Sequence, residues 1–130
     1  MKVKEFGHIA YRVKDMEASV KFYTEILGFT KLHEIPTPNG NIVFLELSGK
    51  QSLELFCGGE DELKITDKTR GYMHLCIIVE GLKELAEFVA SKGIPFYQEP
   101  RYAENLSVFR ILDPDGNELE ILERGADLPF

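Results

Sequence analysis

The sequence predicts an α+β fold made of two tandem βαβββ modules that together form a curved sheet cup. Three observations carry this expectation. Residues recur at an offset of 66 positions: His8 with His74, Val13 with Val79, Phe22 with Phe88 and Glu54 with Glu120. Each half opens on a strand-like alternating run, passes through an amphipathic stretch that stops at a glycine, and continues in short extended segments. Because the offset holds from the first predicted strand to the last, it marks a duplicated fold rather than a local likeness.

The elements follow in order. Phe6 to Val13 alternates, with Ile9, Tyr11 and Val13 on one face and His8, Ala10 and Arg12 on the other. Asp15 then caps a helix whose apolar stripe is Met16, Val20, Tyr23 and Leu27, and Gly28 supplies a left-handed stop. Extended segments are predicted at Thr30 to Glu34, Ile42 to Leu47 and Ser52 to Phe56, separated by a Pro36 to Gly40 loop and a Ser48 to Gln51 turn. The first module covers residues 1–57, a polar linker residues 58–71 and the second module residues 72–130. In that second module the spacing predicts a strand from Tyr72 to Val79 and a helix from Leu82 to Lys92 ended by Gly93. Strands follow at Phe96 to Gln98, Val108 to Leu112 and Glu118 to Leu122, the last hairpin turning at Asp113-Pro114-Asp115-Gly116-Asn117.

Composition narrows the function classes. With 44% hydrophobic residues and 6 prolines in 130 residues, the chain can bury one compact core or two small modules sharing one. A net charge of −7 excludes the basic footprint that nucleic acid or an anionic membrane requires, so the expected partner is a small molecule. The only cysteines, Cys57 and Cys76, form no CxxC spacing, which excludes a disulfide scaffold and a thiolate zinc finger and fits a reducing cytoplasm. No run of 18 apolar residues and no apolar signal core occurs.

The repeated His/Glu pairs are the candidate chemistry. Histidine weighs most, since two of the three in the chain fall on the repeat. Glu54 lies within Leu53-Glu54-Leu55-Phe56 and Glu120 within Leu119-Glu120-Ile121-Leu122, and a charge amid such neighbours needs a partner, a proton or a metal. Alternation sets both pairs on the sheet face opposite the helix-packing residues. Two such modules related by a pseudo-twofold axis would offer His8, Glu54, His74 and Glu120 as ligands to one divalent metal, with positions left for water or substrate. Mixed nitrogen and oxygen ligands suit Ni, Co, Mn, Fe or Zn. Arg12 shares the His8 face, where its planar fork suits a substrate carboxylate, and Phe44 and Phe56 are candidates for an apolar lining. Cys76 faces the same way but reads as a core filler, and His33, outside the register, as a surface strand residue.

Gly7-His8-Ile9-Ala10, Phe22-Tyr23-Thr24-Glu25-Ile26-Leu27-Gly28-Phe29 and Asp113-Pro114-Asp115-Gly116-Asn117 followed by Glu118-Leu119-Glu120-Ile121 resemble the vicinal oxygen chelate superfamily over essentially the whole chain. Within it, the ligand order His, Glu, His, Glu resembles glyoxalase I, the lactoylglutathione lyase. The resemblance implies a glyoxalase-like fold, His8, Glu54, His74 and Glu120 as metal ligands, and conversion of a 2-oxoaldehyde hemithioacetal to a 2-hydroxyacyl thioester by proton transfer. It also implies Glu120 as the proton-transferring base with Glu54 its pseudo-symmetric partner, Arg12 as a glutathione contact, and a homodimer. Gly58 stands where glyoxalase I carries an asparagine, so the resemblance leaves the thiol open. Other enzymes of the superfamily (an epimerase, a dioxygenase, a thiol transferase) and a metal-free binding protein of the bleomycin-resistance type are the alternatives.

Overall fold

The computed structural model describes residues 1–49, 51–60, 66 and 68–129; Lys50 in the first predicted hairpin and residues 61–65 and 67 of the predicted linker lie outside them. The chain divides into two compact units, Met1–Lys64 and Ile65–Phe130. Among the described residues no helix is long and apolar enough to cross a membrane.

Unit one runs β1 (His8–Arg12), α1 (Met16–Lys21), a π-helical segment (Phe22–Ile26), β2 (Thr30–Ile35), β3 (Ile42–Ser48) and β4 (Gln51–Phe56). Its mixed sheet has the order β1-β4-β3-β2, with β1 and β4 parallel and the other neighbours antiparallel. A parallel pair needs a crossover between its strands, and the helical stretch provides part of it. Period-two alternation then sorts β4: Leu53 and Leu55 are buried together with Val43 and Leu45 of β3, while Glu54 and Phe56 take the other face.

The first strand is shorter than expected. Phe6 and Gly7 lie outside it because β4, its only neighbour in the sheet, begins as the chain leaves the hairpin, and the pairing starts at His8 opposite Ser52. The first helix differs too. The Asp15 side chain caps it as expected, accepting from Ala18 N at 3.0 Å. The turn then widens from Phe22 onward, and Thr24 Oγ1 donates back to the Val20 carbonyl at 2.7 Å. The buried residues are Ser19, Phe22 and Tyr23, while Met16, Val20 and Leu27 of the expected stripe are only half-buried. Tyr23 packs edge-on to both Phe22 and Phe29, at centroid distances of 5.3 and 5.5 Å. Gly28, at φ 74°, ends the turn in the left-handed conformation that the sequence calls for.

Unit two runs β5 (His74–Ile78), α2 (Leu82–Ser91), β6 (Phe96–Arg101), β7 (Leu106–Leu112) and β8 (Glu118–Arg124), with sheet order β5-β8-β7-β6. Tyr72 and Met73 precede the strand rather than begin it, since β8 starts at Glu118 opposite His74. Leu82, Ala86 and Val89 form the buried side of α2, and Ile77, Phe109, Ile111, Leu119 and Ile121 the buried side of the sheet. β6 continues through Pro100 to Arg101, which an edge strand permits because one side of its backbone needs no ladder partner.

The two helices are capped differently. Position 81, the repeat partner of Asp15, is Gly81 in the left-handed region. Here Glu123 of β8 caps instead, accepting from Gly81 N at 3.0 Å and Leu82 N at 2.9 Å. These hydrogen bonds hold the Glu123 carboxyl below the usual glutamate range.

Candidate metal centre

The register of each sheet brings one His/Glu pair onto one sheet face. In unit one, Glu54 on β4 stands opposite Ala10 of β1 and Phe44 of β3, so its face is shared by His8 and Arg12 on one side and by Phe44 on the other. His8 Nε2 lies 2.9 Å from Glu54 Oε2, with the His8 side chain 49% exposed and that of Glu54 16%. The Phe44 ring meets the His8 ring edge-on at 6.0 Å. Phe44 and Phe56, the two candidate lining aromatics, are half-buried on this face. Arg12 stacks its guanidinium over the Phe56 ring at 5.4 Å and donates from NH1 to the Cys57 carbonyl at 2.7 Å. A bulge between Lys31 and His33 sets His33 opposite Phe44, 6.3 Å from its ring, so this exposed histidine stands next to the candidate site face.

In unit two, Glu120 on β8 stands between Cys76 of β5 and Arg110 of β7. His74 Nε2 is 3.9 Å from Glu120 Oε2, with side chains 26% and 16% exposed. Arg110 is the residue that sequence reasoning missed. Its NH2 donates to Glu120 Oε2 at 2.6 Å and its NH1 to Glu118 Oε1 at 2.5 Å, bridging two carboxylates on alternate residues of β8. Burial works against the guanidinium charge, but the hydrogen bonds to Glu118 and Glu120 and the attraction of both carboxylate charges together raise the Arg110 pKa. A signal for it existed: Phe109-Arg110-Ile111 sets a charge within an apolar strand, as the segments around Glu54 and Glu120 do. Cys76 is exposed rather than a core filler, because it stands on the outer sheet face of β5. Desolvation by its neighbours, then the nearby Glu120 charge and a hydrogen bond to that carboxylate, push its thiol up to about 11, so it is protonated at neutral pH.

Each unit therefore offers one imidazole nitrogen and one carboxylate oxygen, and among the described residues no three His, Cys, Asp or Glu side chains are gathered into a metal-holding group. Two donors each about 2.1 Å from one ion lie about 3.0 Å apart at a right angle. The 2.9 Å pair of unit one has that spacing, and the unit-two pair is wider on the side where Arg110 holds the same oxygen. The donor chemistry fits a divalent ion with open positions.

The profile of the Glyoxalase/Bleomycin resistance protein/Dioxygenase superfamily matches residues 5–121. The chain belongs to this superfamily. A probable chloroplastic lactoylglutathione lyase of Arabidopsis thaliana is 35% identical over 127 residues, a match covering 91% of this chain and 35% of that protein. A probable lactoylglutathione lyase of Synechocystis is 28% identical, over 92% of this chain and 95% of its own. The solved trypanothione-dependent glyoxalase I of Leishmania major superposes with a TM-score of 0.77 at 30% identity, covering 93% of this chain and 87% of that one. The chain spans about a third to a half of the length of the plant and yeast lyases it matches.

Proposed function

We propose that this protein is a metal-dependent lyase of the glyoxalase I type, converting the hemithioacetal of a 2-oxoaldehyde to a 2-hydroxyacyl thioester through an enediolate. The observation that carries the proposal is the repeated His/Glu pair, Nε2 facing Oε2 on the same sheet face of each unit, in a superfamily member whose relatives include proteins named lactoylglutathione lyase. In this reading His8, Glu54, His74 and Glu120 hold one divalent ion, the two pairs coming from one chain or from two chains of a homodimer. Such an ion supplies Lewis-acid stabilisation of the charge developing on the substrate oxygens, worth several kcal/mol.

The chain's own residues do the rest. A glutamate oxygen at the site takes the proton from the carbon next to the carbonyl and returns it to the neighbouring carbon, a general-base step worth about 10²- to 10⁴-fold. Phe44 and Phe56 present ring surface to the apolar part of the substrate and keep water from the reacting carbons. Arg12, with NH1 engaged by the Cys57 carbonyl, keeps its remaining donors for a carboxylate of the thiol. Next to that carbonyl stands Gly58, at φ 78°, where the resemblance to glyoxalase I implies an asparagine, so the assay compares glutathione with other thiols.

The deciding experiment is elemental analysis of the purified protein, followed by thioester formation from methylglyoxal with glutathione and with other thiols, before and after chelation. Turnover that disappears with the metal and returns on adding Ni²⁺ or Zn²⁺ is the expected result. Full turnover by the chelated, metal-free protein refutes the proposal.

A further inference from the structure

The two halves of the candidate centre are not equivalent, and the difference lies in the residues that flank each glutamate. At the offset of 66, Arg110 corresponds to Phe44 and Glu118 to Ser52. Glu54 is thus flanked by an aromatic ring and paired with the His8 imidazole at 2.9 Å. Glu120 is instead held through Oε2 by Arg110, whose other terminal nitrogen is anchored on Glu118. The Arg110 Nε is shut off from solvent without a hydrogen-bond partner among the described residues, so its two terminal nitrogens orient the guanidinium. All three side chains of this cluster are well covered, with exposures of 26%, 12% and 16% for Arg110, Glu118 and Glu120.

From this asymmetry we infer that Arg110 is a positioning residue that fixes Glu120 as a stationary ligand, and that the carboxylate carrying the proton is Glu54. The inference rests on the function proposed above and moves the base away from Glu120, the residue the resemblance implies. A carboxylate that takes a proton from carbon must turn an oxygen toward that carbon. For Glu120 the turn breaks a short charge-assisted hydrogen bond and leaves Arg110 with one anchor. The Glu54 carboxylate, beside Phe44, turns by giving up its contact to His8 Nε2 at 2.9 Å and breaks no guanidinium pair. In the step itself the substrate C–H bond breaks, its electron pair moves onto the carbonyl oxygen, and an O–H bond forms on Glu54. As that O–H bond breaks, the enediolate double bond takes the proton at the adjacent carbon, the hydroxyl oxygen of the first carbon becomes the thioester carbonyl, and its proton passes to the neighbouring oxygen, so protons and electrons balance without a co-reactant.

The test compares wild type with Glu54→Gln, Glu120→Gln, Arg110→Phe and Arg110→Lys, each checked for folding by circular dichroism. Ni²⁺ affinity is measured by calorimetry, and thioester formation at saturating Ni²⁺. Loss of an outer residue that orients a ligand typically costs about 10- to 100-fold in metal affinity. Arg110→Phe, which gives unit two the residue of unit one, is expected to show that loss, and Arg110→Lys to recover part of it through a single-point contact. Affinity equal to or tighter than wild type in a folded Arg110→Phe overturns the positioning role. Should that variant not fold, affinity in Arg110→Lys equal to or tighter than wild type does so.

At saturating metal, Glu54→Gln is expected to fall at least about 10-fold further in turnover than Glu120→Gln, within the range of a lost general base. An equal or larger loss in Glu120→Gln overturns the assignment of Glu54 while leaving the proposed function standing. Wild-type protein that binds metal but turns over no hemithioacetal overturns that function and the Glu54 assignment together, and the affinity comparison still decides Arg110.

Discussion

Replacing Asp113 by alanine should destabilise the protein out of proportion to the size of the change. Asp113 is 5% exposed at the start of the β7–β8 turn. Its Oδ1 accepts from Asp115 N at 2.9 Å and Asn117 N at 2.8 Å, and its Oδ2 accepts from Asn117 Nδ2 at 2.9 Å. Hydrogen bonds to an ionised group contribute about 1.5–3 kcal/mol each, but Asp115 is exposed and solvent recovers part of the loss, leaving a net cost of about 2–3 kcal/mol. For a chain of this size that corresponds to a melting-temperature drop of roughly 6–12 °C. Asp113→Asn should cost about half as much, since its amide oxygen still meets two backbone donors while its amide nitrogen faces that of Asn117. Thermal and urea unfolding followed by far-ultraviolet circular dichroism measures both. The turn also sets the register that brings Arg110 opposite Glu120, and a one-residue slip would send Glu120 to the core face. A cost below about 0.5 kcal/mol for Asp113→Ala, the scale of an ordinary surface substitution, would refute the reasoning.

Further outcomes follow from the caps and from one tight turn. Asp15→Ala should lose about 1 kcal/mol in urea unfolding through its missing contact to Ala18 N, and Asp15→Asn should keep most of it. Glu123 is held below the ordinary glutamate value of 4.5, so its cap on α2 is fully present above that value. The contribution fades as pH falls from there through the lower folded-state value. The stability difference between wild type and Glu123→Gln should therefore shrink over that acidic window, and a difference independent of pH would count against the cap. Gly40 combines φ 108° with a position where an added Cβ would meet Cys57 Sγ, so Gly40→Ala should cost about 1–3 kcal/mol. Adding Cys57→Ala should relieve the contact but not the backbone strain, and full recovery in the double variant would refute the strain component.

Much of this protein was legible in the order of its residues. Period-two alternation separates Glu54 from Leu53 and Leu55, and Glu120 from Leu119 and Ile121, without reference to any distant part of the chain. Left-handed glycines such as Gly28 and the Asp113 to Asn117 turn likewise encode local stops. These features depend on neighbours a few positions away, and a sequence states such neighbours directly. The 66-residue repeat extends that reach by making one half a template for the other, and it led to His8, Glu54, His74 and Glu120.

The tertiary structure decided what the repeat does not share. The strands start at His8 and His74 because their ladder partners start at Ser52 and Glu118. Glu123 caps α2 from 41 residues away, Arg12 reaches the carbonyl of Cys57, and Arg110 joins Glu118 to Glu120 across a hairpin. Each is a contact between residues distant in the chain, formed only when strand pairing fixes which side chains stand side by side. Sequence alone determined that two histidines and two glutamates occupy equivalent places; the fold decided that their surroundings differ, with a ring beside Glu54 and a guanidinium beside Glu120, because register and not residue type sets a side chain's neighbours.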